Sequence, residues 1–366
     1  MSSKSSIITQ TADRRPQTAD RRPQTADRRP QTADRDCIVD SLRGFAIITV
    51  VLGHVCLAFI NSGLIFSGMS QIRTAVYSFH MPLMFMISGY VHGMKDHFSG
   101  SENFSGYLKK YLAELYLPAM YFSVTYWLLK YFLISPSNNA EGFNLVSVKD
   151  FCMIPILGFN EYWFLCTLFF VKAVHVLLEY VFRHKYMISL FWLLLFILIN
   201  IFSSSLPVFL SRFSFGFCFH IGYLLRTKSL ISPKQHPRLL YGLILLASGV
   251  ILYCLGSPKS AVSLTLSLSM FIIFYAAGIT NSFLVRCGVY SMIIYCLHVY
   301  VITLTRLIYR FAGLTESISP AVLFVITSAA GVVLPLFVVM LYQNVKALGW
   351  IEYIFFPGKL LKKHRA

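Results

Sequence analysis

Long apolar runs separated by short polar segments dominate the chain from residue 44 onward. Each run is about 18–22 residues long, which is enough for an α-helix to span a bilayer. The predicted helices are at residues 44–62, 76–94, 115–134, 162–181, 187–206, 213–225, 239–256, 260–280, 289–310 and 321–342. The pattern therefore predicts an all-α integral membrane protein with about ten transmembrane helices. Residues 151–158 are a candidate re-entrant segment.

The composition supports a membrane protein and excludes several other classes. Of 366 residues, 56% are hydrophobic and only 13% are charged, about half the charged fraction of a typical soluble domain. We therefore exclude a soluble enzyme, a nucleic-acid-binding domain and a disordered scaffold. The eight cysteines form no CxxC pair, and most lie inside apolar runs. We interpret them as small core residues and not as disulfides or metal ligands.

The positive charges are distributed unevenly between alternate loops. The formal net charge is +17, and Lys and Arg concentrate in the chain through Arg43 and in residues 95–110, 183–185, 226–238 and 346–365. All of these segments are cytoplasmic if the N-terminus is cytoplasmic, as the positive-inside rule requires. We expect a multi-pass protein of the bacterial inner membrane with both termini in the cytoplasm. Its membrane domain is predicted at 36–345, and its basic loops and C-terminal tail (346–366) are expected to face membrane lipids.

A perfect heptapeptide repeat precedes the first apolar run. The unit Gln-Thr-Ala-Asp-Arg-Arg-Pro begins at Gln10, Gln17 and Gln24, and a partial copy runs from Gln31 to Arg35. Because the unit has almost no apolar content and contains a proline, we predict that residues 1–35 form a disordered tail.

The heptapeptide repeat can be encoded by a shorter tandem repeat in the gene. Three copies of the heptanucleotide CAGACCG read as CAG-ACC-GCA-GAC-CGC-AGA-CCG, which encodes all seven residues and uses two different arginine codons. Since seven is not a multiple of three, gain or loss of one unit shifts the reading frame. We therefore predict phase-variable expression, which suits a surface property that is useful only part of the time.

Arg43 and His54 are the most informative polar residues of the first apolar run. They are eleven residues apart, so a helix places them on one face about 16 Å apart along its axis. His54 would lie near the bilayer centre, where an ionisable side chain indicates a functional site. The alternative is a histidine that packs between helices, with Arg43 acting only as a positive-inside anchor.

Polar residues also interrupt the second predicted helix. His80 and Pro82 lie near its start, and Ser88 and Gly89 follow in its second half. Proline and small residues free backbone carbonyls and allow helices to approach closely, so this helix is a candidate cavity wall. Packing alone is the ordinary explanation for serine and glycine in a membrane helix.

The ninth predicted helix carries one polar stripe. Ser291, Tyr295 and His298 follow i, i+4, i+7 spacing, and His298 lies about as far from the cytoplasmic end as His54 does. The two histidines are therefore candidates to converge. Trp163, at the outer end of the fourth helix, is either an aromatic-belt residue or a platform for stacking a sugar.

Four segments together resemble the acyltransferase-3 family of integral membrane acyltransferases. They are Asp40–Gly44 with His54 following Arg43 after ten intervening residues, residues 79–90, residues 163–165 and residues 288–298. The second segment looks like the branch that includes fucose 4-O-acetylases and nodulation-factor acetyltransferases. The resemblance covers about residues 36–345.

The resemblance implies about ten membrane helices, acetyl-CoA or another acyl-CoA as the donor, and a cell-surface sugar hydroxyl as the acceptor. We expect no resident cofactor and no metal. Many members carry an arginine pair before the third helix, whereas this chain has Lys109 and Lys110. Lysine binds phosphate as a point charge but lacks the bidentate fork of arginine.

The function that we expect is O-acetylation of a bacterial surface polysaccharide, either capsule or lipopolysaccharide O-antigen. His54 is the candidate base, or alternatively a nucleophile that forms an acyl-histidine, and Arg43 is the candidate group for positioning coenzyme A. Candidates for binding donor or acceptor are Asp40, His80, Ser88, Lys109, Lys110, Trp163, Ser291, Tyr295 and His298.

Two other functions use similar sequence features. A secondary transporter also places histidines and broken helices within the membrane, and so does a protein that exports lipid-linked glycan. The hydropathy pattern has no inverted repeat, and the longest predicted outer loop, residues 135–161, is modest. An acyltransferase is therefore favoured over both.

Overall fold

The computed structural model describes residues 36–94, 104–134, 148–182, 184–230 and 236–357. These residues fold as helices, and no β-strand occurs among them. The repeat of residues 10–35, predicted to be a disordered tail, lies outside the described residues. Of the predicted C-terminal tail, residues 346–357 are described, and there the ring of Phe355 stacks on Phe122 with 5.3 Å between ring centroids. This part of the segment therefore packs against the helices.

The predicted segments all overlap helices of the structure. In the described part of the chain the α-helices are α1 (Cys37–Asn61), α2 (Met69–Tyr77), α3 (His80–His92), α4 (Phe104–Tyr111), α5 (Leu117–Leu129), α6 (Val148–Leu157), α7 (Trp163–Val181), α8 (Lys185–Ile201), α9 (Val208–Ser211), α10 (Phe215–Thr227), α11 (His236–Cys254), α12 (Lys259–Ala277), α13 (Ser282–Val289), α14 (Ser291–Phe311), α15 (Leu314–Ser317), α16 (Pro320–Asn344) and α17 (Ile351–Phe355). Two π-helical segments, Leu112–Tyr116 and Lys130–Ile134, flank α5.

Six helical segments within the described residues are long and apolar enough to cross a membrane. They are Cys37–Asn61, Val148–Val181, Val208–Thr227, Lys259–Ala277, Ser291–Phe311 and Pro320–Asn344. The apolar stretches Lys185–Ile201 and Arg238–Cys254 are shorter. The protein is therefore an all-helical, multi-pass membrane protein, and the count of about ten spans stays a prediction.

The second predicted helix is broken in the structure. Residues 76–94 were predicted as one continuous helix, but α2 ends at Tyr77 and α3 begins at His80. Pro82 lies in the first turn of α3, where the backbone N–H that proline lacks has no partner within the helix. The Nδ1 atom of His80 lies 2.8 Å from the carbonyl oxygen of Val76. This side chain therefore bridges the break.

Two pairs of helices meet backbone to backbone at glycines. A Cβ added at Gly44 of α1 would lie 1.9 Å from a backbone oxygen of α13, and one at Gly288 of α13 would lie 1.9 Å from a backbone oxygen of α1. Gly89 of α3 and Gly222 of α10 form the same reciprocal contact at 1.8 Å. Small residues allow such close crossings. These crossings fix α1 and α3, the helices that carry His54 and the cavity wall around His80.

Candidate active site

The structure brings together two histidines from the first and fourteenth helices. The ring centroids of His54, on α1, and His298, on α14, are 5.3 Å apart. His54 lies within the candidate span Cys37–Asn61, and His298 is fully buried in the span Ser291–Phe311. Two imidazoles within membrane-spanning segments provide a proton acceptor and a hydrogen-bond partner for it.

Glu161 adds a carboxylate to this histidine pair. Its Oε1 atom lies 3.6 Å from Nδ1 of His54. The backbone of Glu161 is held by Tyr295, whose hydroxyl donates a hydrogen bond to the Glu161 carbonyl oxygen. A carboxylate on the Nδ1 side of an imidazole favours the tautomer with the proton on Nδ1, so Nε2 is left to accept a proton.

The orientation of His298 is fixed by its own helix. Its Nδ1 atom lies 2.7 Å from the carbonyl oxygen of Tyr295 and 3.1 Å from that of Ile294. Because carbonyl oxygens only accept hydrogen bonds, Nδ1 carries the proton and Nε2 carries a lone pair. Nε2 is buried and has no hydrogen-bond partner among the described residues. It is therefore a ready acceptor beside His54.

Two cavities meet at His54 and Glu161, which line both. The larger one, about 370 Å³, is lined by residues that include His54, His80, Glu161, Trp163, Phe215 and Tyr295, and we call it the aromatic cavity. The smaller one, about 170 Å³, is lined by residues that include His54, Asn61, Tyr126, Lys130, Glu161 and Arg306, and we call it the polar cavity. A substrate in either cavity can therefore reach His54.

The structure gathers some of the predicted site residues and leaves others apart. His80, Trp163 and Tyr295 line the aromatic cavity with His54. Ser88 does not line either cavity, and its hydroxyl donates to the Met84 carbonyl oxygen on its own helix at 2.8 Å. The remaining candidates also line neither cavity: Asp40, Arg43, Lys109, Lys110, Ser291 and His298, of which only His298 is in ring contact with His54.

Arg43 lies toward the N-terminal end of α1 and forms an ion pair there. Its Nη1 atom is 3.4 Å from Oδ1 of Asp40, one turn earlier. Nearby, Asp36 caps α1 and accepts a hydrogen bond from the Tyr275 hydroxyl at 2.7 Å. Lys109 and Lys110 lie in the last turn of α4. The three cationic residues that the sequence singled out, Arg43, Lys109 and Lys110, therefore line neither of the two cavities at His54.

Several residues of the two cavities carry little signal in the sequence. Glu161 was visible only as a carboxylate beside Trp163 at the outer end of the fourth predicted helix, and Tyr77, Lys130 and Arg306 carried no spacing relation to His54. The one available signal was charge, because Lys130 and Arg306 interrupt or end apolar runs that otherwise exclude ions.

A second polar cluster joins α3, α7 and α8 away from the two cavities. Glu179 Oε2 lies 3.4 Å from His92 Nε2, and Glu179 Oε1 lies 3.9 Å from His175 Nε2. The Trp192 indole N–H donates to His175 Nδ1 at 3.1 Å, so neutral His175 carries its proton on Nε2. A metal at Nε2 would require that proton to move to Nδ1, where Trp192 already donates. The donor set therefore favours hydrogen bonding over metal binding.

Comparison with known proteins identifies the family to which this chain belongs. A family model described as an acyltransferase domain, that of the acyltransferase-3 family, matches residues 38–340. This range covers most of the chain and every residue that lines the two cavities. No curated protein and no solved structure matches the sequence significantly. The chain belongs to the acyltransferase-3 family and is a membrane acyltransferase.

Proposed function

We propose that the protein transfers an acetyl group from acetyl-CoA to a hydroxyl of a bacterial surface polysaccharide, either capsule or O-antigen. The observation that carries this proposal is the position of His54, which faces Glu161 and His298 where two cavities meet. An acyl transfer needs one site for the thioester, one for the hydroxyl and a base between them. The fucose 4-O-acetylase and nodulation-factor acetyltransferase branch is the proposed affiliation.

In the proposed reaction, His54 Nε2 accepts the proton of the sugar hydroxyl while the hydroxyl oxygen attacks the thioester carbonyl carbon. The tetrahedral oxyanion then collapses, the carbon–sulfur bond breaks, and the thiolate of coenzyme A takes the proton from His54. The products are the acetylated sugar and free coenzyme A. Glu161 stabilises the imidazolium that forms in between, and Tyr295 holds Glu161 through its carbonyl oxygen.

We assign Arg43 to the phosphates of coenzyme A. It lies eleven positions before His54 on α1, which is about 16 Å along a helix. This spacing suits the extended arm that links the phosphates of coenzyme A to its thioester. Asp40 orients Arg43 through the ion pair of 3.4 Å. Lys109 and Lys110 are further candidates for phosphate contacts at the same membrane face.

The proposed orientation puts both termini of about ten spans in the cytoplasm of a bacterial inner membrane. Acetyl-CoA is a cytoplasmic metabolite, so the Arg43 end of α1 faces the donor. The acceptor glycan then approaches from the outer face. We further propose that the heptanucleotide repeat makes this modification phase-variable.

The test measures transfer of labelled acetyl from acetyl-CoA to surface glycan in membranes that contain His54→Ala. We expect a loss of about 100-fold or more, with an unchanged amount of protein in the membrane. His184→Ala is the matched control, because His184 is exposed in the loop before α8. Full activity of His54→Ala would refute the proposed chemistry. If the wild type transfers no acetyl group and His54→Ala instead loses glycan export, the function of an export protein is favoured.

A further inference from the structure

The polar cavity holds two cations beside the proposed reaction centre. Lys130 and Arg306 line it together with His54 and Glu161. The Lys130 ammonium lies 5.3 Å from the ring centroid of Tyr126, which helps to hold it at the cavity wall. An Arg306 guanidinium nitrogen donates a hydrogen bond to the Ser62 hydroxyl. Among the described residues that line the cavity, these two cations outnumber the one carboxylate, that of Glu161.

The positions of Lys130 and Arg306 in or near membrane-spanning segments cost free energy. Arg306 lies inside the candidate span Ser291–Phe311, and an ionisable side chain within a membrane helix indicates a function. Lys130 begins the π-helical segment Lys130–Ile134, a type of distortion that is frequent at functional sites. Among the described residues, no carboxylate forms an ion pair with Lys130. In the proposed orientation both cations lie at the outer face, against the positive-inside bias.

The size and lining of the polar cavity limit what it binds. Its volume of about 170 Å³ is below the range of about 300–1,000 Å³ that is typical for drug-sized ligands, so it admits a single ring or small group. Asn61 and Thr303 supply further hydrogen-bonding groups. A polar wall with two cations suits a hydrophilic anion and not an acyl chain.

We propose that the polar cavity binds the anionic group of the acceptor, a carboxylate or a phosphate carried by the sugar unit that receives the acetyl group. This inference rests on the proposed function and adds the acceptor class to it. Lys130 and Arg306 would hold the anion while a hydroxyl of the same unit, or of its neighbour, reaches His54. The acceptor is therefore an acidic glycan.

The test uses the surface polysaccharide of the source bacterium, freed of O-acetyl groups by mild base, as the acceptor. One portion is carboxyl-reduced, and another is treated with aqueous hydrogen fluoride to remove phosphate. We expect one of the two treatments to raise the KM for the acceptor roughly 10–100-fold, as loss of a charged hydrogen bond does, and this identifies the anion. Equal use of all three acceptors would overturn the inference and leave the proposed function standing. No transfer to the untreated glycan would overturn the proposed function itself.

Variants of the two cations test whether the polar cavity causes the preference for the untreated, anionic glycan. Lys130→Met and Arg306→Gln should each raise the KM for the untreated glycan about tenfold or more and abolish the preference over the treated form. The KM for acetyl-CoA should stay within about twofold. Lys149→Met is the matched control, since Lys149 is exposed on α6 and lines neither cavity. If both variants keep the wild-type preference, these cations do not recognise the acceptor.

Discussion

The role of Glu161 at the site can be tested by a single substitution. Glu161→Gln keeps the size of the side chain but removes the charge that faces His54 Nδ1 at 3.6 Å. We expect kcat to fall about 100-fold or more, because the imidazolium loses its carboxylate and the tautomer of His54 is no longer set. The measurement is steady-state release of coenzyme A, with kcat and the KM for acetyl-CoA determined separately.

Two companion variants show whether charge is the cause. Glu161→Asp keeps the carboxylate but shortens the side chain by one methylene group, so the carboxylate lies further from His54. We expect this variant to retain part of the wild-type kcat that Glu161→Gln loses. Glu316→Gln removes a carboxylate that is exposed on α15, and kcat should not change. A Glu161→Gln enzyme with wild-type kcat would show that Glu161 only shapes the short 3-10 helix before α7.

At the scale of residues, the sequence identified the centre of the site better than its surroundings. His54 was predictable because an ionisable side chain within an apolar run is costly, and His298 shared its depth. The contact between Glu161 and His54 was not predictable, because Glu161 lies in a short 3-10 helix (Asn160–Tyr162) whose position depends on a contact with α14. The hydrogen bond from Tyr295 to the Glu161 carbonyl oxygen makes that contact, and it joins residues that are 134 positions apart in the chain.

The packing of α1 against α13 and of α3 against α10 depends on the two glycine crossings. We therefore expect substitutions at these glycines to lower the stability of the protein. Gly288→Ala and Gly89→Ala place a methyl group 1.9 Å and 1.8 Å from backbone oxygens of the opposite helices. Since a backbone cannot move aside as a side chain does, the helices must separate. We expect a loss of about 1–3 kcal/mol or more in stability, measured as a lower Tm in detergent.

The control for this prediction is another glycine in an apolar helix. A methyl group at Gly242 of α11 would meet the side chain of Ile273, whose nearest atom is at 2.8 Å and can rotate. Gly242→Ala should therefore lower the Tm less than either crossing variant does. Equal losses in all three variants would show that the crossings have no special role.

The type of the long apolar elements was predictable from hydropathy, whereas the breaks and the short helices such as α4 were not. Apolar side chains continue through the junction between α2 and α3, so periodicity alone favoured one helix. Pro82 was the only local sign of a new helix start. The junction between α13 and α14 at Tyr290 has no such sign. Its position follows from the packing of Gly288 against α1, which is a tertiary contact.

At the scale of the molecule, the distribution of charge predicts how the protein is inserted. Reporter fusions after Gly68, between α1 and α2, should be active in the periplasm, and fusions after Lys185, at the start of α8, should be active in the cytoplasm. The reason is the excess of Lys and Arg in the segments on the Lys185 side. A reversed pattern would place Arg43 on the side that lacks acetyl-CoA and would refute the proposed mechanism.

The repeat of residues 10–35 lies outside the helices that form the site, and it predicts a switch in the gene. One heptanucleotide encodes all seven residues of the unit, which an ordinary duplication of a peptide-coding segment would not require. We expect tandem CAGACCG units in the gene. Colonies of one strain should differ in unit number, and only one of the three reading frames should give acetylated glycan. Sequencing single colonies and measuring their glycan by proton NMR tests this directly.

The protein itself offers the complementary test. An in-frame deletion of residues 10–35 removes a polar, proline-containing segment that we expect to make no core contacts. Acetyl transfer should therefore persist, with at most a small loss from the removed basic residues near the anionic leaflet. Mixed synonymous codons in the tract would show that the fit to one heptanucleotide arose by chance. If the deletion abolishes activity while the protein still reaches the membrane, the tail takes part in the reaction, and the repeat is maintained for its peptide and not for its frame.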